Sequence, residues 1–135
     1  FFAVLEDIHT ECFAAAQRAL SENEVLCPAE RVSVAILAAC RWLAETQAFV
    51  FIENDADFLL HRLPQDVKSA HYHDDEVHIC ALLEENGLKP QGGIALAAAT
   101  IRGLILTVSH QEQIGELYPR VLETLVHGAC RELFE

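Results

Sequence analysis

Apolar residues recur at three- and four-residue intervals along nearly the whole chain, and no run alternates with a period of two for more than a few positions. That spacing predicts an all-α domain of six helices. The first spans about 2–20, with Val4, Leu5, Ile8, Cys12, Phe13 and Ala16 on one face. A polar connection ending at Pro28 leads into a second helix over about 29–52, whose stripe is Val32, Ile36, Ala39, Cys40, Leu43 and Val50. Asn54-Asp55 breaks it and caps a short third helix over about 56–62. The fourth covers about 66–86 and stops at Gly87, where glycine readily takes the left-handed C-cap conformation. After a turn through Gly92-Gly93, the fifth runs to about residue 109 and the sixth from about 117 to 134, with Pro119 in its first turn.

The last two helices depart from the usual one-sided pattern. Between Ile94 and Ser109 the only charge is Arg102, so this helix is apolar around most of its circumference and is expected to be buried on more than one side. The sixth carries a broad surface of Leu117, Val121, Leu122, Leu125, Val126, Ala129 and Leu133. A domain of six helices has too few partners to cover both from within. A second copy is therefore expected to cover them in a homodimeric four-helix contact. The expected contact residues are Ala95, Ala99, Gly103 and Leu106 on the fifth helix, with Val121, Leu125 and Ala129 on the sixth.

Length and composition narrow the setting. The 135 residues suit one domain, spanning the whole chain, with a core large enough to need no staples. No apolar stretch reaches the roughly 18 charge-free residues of a membrane span; 94–108 comes nearest, interrupted by Arg102, and reads as a buried helix. The five cysteines are widely spaced within apolar helical patterns, which reads as reduced, buried thiols of a cytoplasmic protein. The chain contains no methionine and begins on Phe1-Phe2 with a helical pattern rather than a signal peptide, so the expectation is a piece of a longer protein. Acidic residues outnumber basic ones 21 to 9, a net charge of −12. Such a surface repels phosphate backbones, and any DNA binding is expected to come from other residues.

Several segments resemble the C-terminal regulatory domain of TetR-family transcriptional regulators. Phe2-Ala3-Val4-Leu5-Glu6 is similar to the start of the long helix that links the family's helix-turn-helix to its core. The segment 81–90, ALLEENGLKP, resembles the turn between its last pocket helix and its dimer helices. The run 97–106 with Arg102-Gly103-Leu104 looks like its first dimer helix, and 118–134 like its last. The resemblance implies a TetR-like regulatory domain whose last two helices form a dimeric four-helix bundle. It also implies a homodimer that binds a small, apolar or amphipathic effector and acts as a repressor or other regulator. DNA would be reached only through an N-terminal domain that this chain does not contain. In such domains the second and third helices help to wall the effector cavity, which here bear Trp42, Phe49, Phe51 and Phe58. Glu45, Gln47, His61, His78 and Arg102 are the candidate polar groups of that pocket. Aromatics filling an ordinary core is the competing reading. Arg102 stands out, as a partner for an anionic ligand group or for a carboxylate at the dimer contact.

The densest chemistry lies in 71–78, HYHDDEVH. On a helix His71, Asp75 and His78 share one face, with His73 beside them, and imidazoles with a carboxylate suit Zn, Ni or Fe(II). A solvated helical face is the plain alternative. Glu6-x-x-His9 and Asp75-x-x-His78 also match, loosely, the spacing of a carboxylate-bridged di-metal bundle, for which Glu45 and Glu123 are the further candidates. No nucleophile elbow, S-x-x-K pair or phosphate-binding glycine loop occurs, so neither an enzyme nor a cofactor is expected.

Overall fold

In a computed structural model the chain is described at residues 2–46 and 65–135, with side chains described at 7–46 and 75–135. Among these residues there are helices and turns and no strand. Five long helices are present: α1 (Phe2–Glu22), α2 (Pro28–Glu45), α3 (Gln65–Glu85), α4 (Ile94–Leu106) and α5 (Tyr118–Phe134). Between α4 and α5 the chain reverses through a 3-10 turn, Thr107–His110, and a single α-turn, Gln111–Ile114. The short helix expected over 56–62, with its Asn54-Asp55 cap, lies outside the described residues, as does Val50.

The second helix ends earlier than its periodicity suggests. It closes at Glu45, where Thr46 stands as C-cap and both its N–H and its Oγ1 bond to the Trp42 carbonyl. A β-branched residue whose hydroxyl satisfies a terminal carbonyl competes with helix continuation. The fifth expected helix also stops short, at Leu106 rather than about residue 109, where the chain tightens into the 3-10 turn; the other described boundaries fall within a residue or two of expectation. Gly87, at φ +67°, donates to the Glu84 carbonyl while Leu88 donates to Leu83, the paired bonds of a Schellman C-cap. Leu83 and Leu88 are both buried, so the cap is also anchored by its apolar contact.

Helix α2 is the centre of the domain. It buries Ala29, Val32, Ser33, Ala35, Ile36, Ala39, Cys40 and Leu43, a stripe wide enough to meet α1 on one side and α5 on another. Helix α5 answers with a narrow ridge of Tyr118, Leu122, Val126, Cys130 and Leu133. Helix α3 packs on α4, and α4 touches both α2 and α5. The small residues Ala16, Ala19, Ala35, Ala39, Ala97 and Ala98 let the backbones approach closely. Among the described residues one polar side chain is fully buried, Ser33, and its hydroxyl donates to the Ala29 carbonyl at 2.8 Å.

Polar contacts bind α3 to the first two helices. Arg31 donates through Nε to the Leu20 carbonyl at 2.9 Å, and through its terminal nitrogens to the backbone and side-chain oxygens of Asn86. Asn86 in turn donates to Gln17 Oε1 at 3.0 Å and to the Leu82 carbonyl at 2.7 Å. One guanidinium thus meets the carbonyl ends of α1 and α3, where the helix dipoles are negative.

The cysteines are all free thiols. Cys12, Cys40 and Cys130 are buried as expected, and Cys80 is half-buried against the core. Cys27 is exposed instead, because it lies in the connection just ahead of Pro28 and belongs to no helical stripe.

Candidate functional site

The apolar surfaces of α4 and α5 point two ways. Ala97, Ala98, Ile101 and Leu104 of α4 enter the core, while Ala95, Leu96, Ala99, Gly103 and Leu106 stay exposed. Positions 95, 99, 103 and 106 follow the three- and four-residue steps of one helix face. A side chain at Gly103 would meet nothing within 4 Å of its Cβ. On α5, Leu125 is exposed at 44%, Val121 and Ala129 are half-buried, and Leu117 just ahead of the helix is exposed at 65%. Ile114, in the reversal between the two helices, is exposed as well.

Among the described residues, helix α4 is therefore not covered on several sides. The stretch Ile94–Ile114 is long and apolar enough to span a membrane by length and composition, and only 28% of its most apolar window is buried. The composition of this stretch made it read as a core helix, but α2, α3 and α5 cover one side of it only. Leu96, Ile114 and Leu117 belong to the open surface beside the contact residues expected from the sequence. For Leu96 and Leu117 the spacing already carried that signal: each lies one helical step from an expected contact position, 99 and 121.

The pocket candidates are dispersed or out of view. Trp42 is half-buried and packs on the core, and Glu45 is exposed at the end of α2. Gln47, Phe49, Phe51, Phe58 and His61 lie outside the described residues. His78 is exposed and sets its ring against Phe13, edge-on, with centroids 5.4 Å apart. Arg102 is half-buried and pairs with Glu76 of α3 at 3.2 Å. The carboxylate it meets belongs to α3 of its own chain, a pairing that neither of its two sequence readings named.

In the histidine-rich segment the side chains of His71 and His73 lie outside the described residues. Asp75 and His78 are described, and Asp75 accepts from His9 Nδ1 of α1 at 3.0 Å. The two loose metal-type motifs, Glu6-x-x-His9 and Asp75-x-x-His78, are thereby brought side by side. Phe13 lies between the imidazoles, 6.5 Å from His9 and 5.4 Å from His78 by ring centroids. Among the described residues no three ligating side chains gather closely enough to hold a metal ion. Glu45 is exposed on α2 and Glu123 on α5, so neither faces the interior.

No family model matches the chain, and no curated protein or solved structure matches it significantly. Function must be argued from the molecule itself.

The adjacent residues Asp75 and Glu76 give α3 a connecting role. Asp75 reaches α1 through His9, and Glu76 reaches α4 through Arg102. Both pairs are partly shielded from water. The buried thiols offer no nucleophile. Burial pushes Cys12 up to about 11 and Cys40 up to about 12, and raises Cys130 and half-buried Cys80 as well.

Proposed function

We propose that this chain is the effector-binding and homodimerisation domain of a TetR-like transcriptional regulator, working in the cytoplasm. The observation that carries the reading is the pair of apolar stripes left open on α4 and α5, the last two long helices of the domain. Runs of exposed apolar side chains at helical spacing are costly to leave in water and mark a contact surface. A second copy applied to the same face buries both sets at once and closes the assembly by two-fold symmetry. The four helices, two from each chain, then form one bundle.

The remaining parts fit a domain that converts binding into movement. Helix α1, which by resemblance leads from the DNA-binding head, is held to α3 by His9–Asp75, by the ring contact of Phe13 with His78 and by the Asn86 cluster. Polar contacts of this kind exchange more readily than an interdigitated apolar core. A small effector that favours one setting of α1 against α3 shifts the spacing of the two heads, and with it operator binding. The Asp75–Glu76 pair passes that change to α4 and so to the dimer. The protein makes or breaks no bond in this scheme, and it touches DNA only through the head.

The reading frame upstream of Phe1 tests the proposal. Codons for three short helices with a helix-turn-helix, joined to α1, are the expected result. The longer protein then retards operator DNA as a dimer. Upstream codons that encode only a start codon and a short tail sink the regulator reading.

A metal-binding reading stands second, using the His71, His73, Asp75 and His78 face. The observation in its favour is the carboxylate-oriented His9, because a carboxylate on one ring nitrogen commonly orients the other toward a metal. Stoichiometric metal after purification, lost in His71→Ala/His78→Ala, is its expected signature. Metal-free protein whose melting temperature ignores Zn, Ni and Fe(II) refutes it.

A further inference from the structure

The exposed apolar surface of the domain does not end at α4. On one flank α4 is pinned to α5 near both ends: Gln91 N–H donates to the Leu133 carbonyl at 2.7 Å, and Thr107 Oγ1 lies 3.0 Å from the Tyr118 hydroxyl. On its other flank α4 meets α3, where Arg102 and Glu76 pair at 3.2 Å. Cys80 follows Glu76 by about one helical turn, so it shares the flank of α3 that looks toward α4. Val77, next to Glu76, turns outward from that flank and is 48% exposed. The opposite flank of α3 is taken by α1, which receives His78 on Phe13 and Asp75 on His9. Cys80 packs on the core with one side and is open on the other. Because α3 and α4 run antiparallel, one turn forward from Glu76 matches one turn back from Arg102. Cys80 therefore stands about level with Ala99, one of the exposed residues of α4.

Charge along this surface favours a second copy of the chain as its partner. None of the open positions on α4 carries a carboxylate, nor do Val77, Cys80, Leu117 and Leu125, although the chain has a net charge of −12. Two molecules of like charge meet at least cost where neither presents that charge. A basic partner would be drawn to the carboxylates elsewhere. Where the surface crosses from α4 to α3 its charges are already paired, as Arg102 with Glu76. A balanced pair loses less on leaving water than a lone carboxylate does.

We propose that the surface receiving the second copy extends from α4 onto α3, so that Val77 and Cys80 are covered in the dimer and the Arg102–Glu76 pair lies within the contact. The inference rests on the homodimer reading above and widens its contact from two helices of each chain to three. It also gives α3 a direct voice in assembly: a shift of α3 against α1 is felt by the partner at Val77 and Cys80, and not only through α4.

Cys80 is its own reporter. Cys27→Ser removes the exposed thiol, and serine is a favoured residue at the α2 N-cap that Cys27 occupies. The other three thiols are buried. Alkylation of Cys80 by excess iodoacetamide is followed by peptide mass spectrometry across a protein concentration series, with sedimentation equilibrium on the same samples. The rate is expected to fall in step with the dimer fraction, and to stay fast at every concentration when Leu125→Glu is added. Val77→Glu is expected to raise the dissociation constant about thirtyfold, since the cover of a half-exposed valine is lost twice per dimer, and to leave the protomer folded. A Cys80 rate that is the same in dimer and monomer overturns the proposal and keeps the two-helix dimer, as does a Val77→Glu dimer as tight as the wild type. A chain that stays monomeric at every concentration overturns the homodimer reading along with it. Flotation of that monomer with phosphatidylcholine vesicles would then assign the apolar stretch Ile94–Ile114 to a lipid surface.

Discussion

Gly103→Glu and Leu125→Glu probe the open face in complementary ways. Gly103 lies inside α4, and a Cβ there meets nothing within 4 Å, so a side chain fits the single protomer without displacement. Replacing a helical glycine removes about 1 kcal/mol of unfavourable backbone entropy, so the protomer's own stability holds or rises. In a two-fold contact the same side chain is driven into the partner twice, once from each protomer. Leu125 supplies the magnitude: it is 44% exposed, and a fully buried leucine is worth about 1.5–3 kcal/mol, so covering the rest contributes about 1 kcal/mol. Two-fold symmetry doubles that to about 2 kcal/mol per dimer. A carboxylate at the contact adds a desolvation penalty of at least equal size for each dimer. Together these raise the dissociation constant about a thousandfold or more. Sedimentation equilibrium at micromolar concentration, paired with a thermal melt, is the assay. The expected outcome is a dimeric wild type and two variants that are monomeric yet folded. A monomeric wild type refutes the reasoning, and so does a Gly103→Glu dimer as tight as the wild type. Val121→Glu is the less informative variant, because Val121 is half-buried in the protomer and its loss also disturbs the fold.

Two further tests address what holds the protomer together. Arg31→Met keeps much of the side chain's length and removes the hydrogen bonds to Leu20 and Asn86; we expect a loss of about 2–3 kcal/mol in urea unfolding, and a change within about 0.5 kcal/mol contradicts the clamp. The thiols predict an alkaline limit. Cys12 and Cys40 stand at about 11 and about 12 against an ordinary 9.0, so above pH 9 the unfolded chain releases protons that the folded chain keeps. Their contribution is complete below pH 9 and is lost as pH climbs through the folded values, by up to about 1.4 kcal/mol per pH unit for each thiol. Urea midpoints measured on either side of pH 9 should fall, and a Cys12→Ala/Cys40→Ala variant should fall less steeply. Equal slopes contradict that origin.

The helices were legible because their signals are local. The stripe Val32, Ile36, Ala39, Cys40 and Leu43 is buried as its spacing requires, and Gly87 ends α3 where a left-handed residue was needed. The end of α2 was not legible. Apolar residues continue past Glu45, and a cap made by a threonine hydroxyl on its own helix competes with that pattern without announcing itself. Helix α4 shows the other difficulty. Its composition states that it is apolar on most sides, but composition cannot say whether the chain itself or another surface supplies the cover. Leu96 and Leu106 stay half exposed because the helices that reach α4 meet its other face.

Chemistry across helices was hidden for a physical reason. His9 and Asp75 belong to the two motifs matched to one di-metal bundle by local spacing, but the sequence holds no periodic relation between α1 and α3 that pairs them directly. The same is true of Arg31 and Asn86, 55 positions apart, and of Arg102 with Glu76. Such pairs depend on which helix faces lie together, which the sum of many small apolar contacts decides. Their placement nevertheless constrains function more than any local motif does. Asp75 and Glu76 are adjacent on a helix, where successive side chains diverge by about 100°, so one turn of α3 can grip α1 and α4 at once. A rotation of α3 about its own axis that freed Asp75 from His9 would also move Glu76 relative to Arg102. In a domain whose α4 carries the open face, that linkage ties the helix expected to lead toward the DNA-binding head to the surface expected to join two copies.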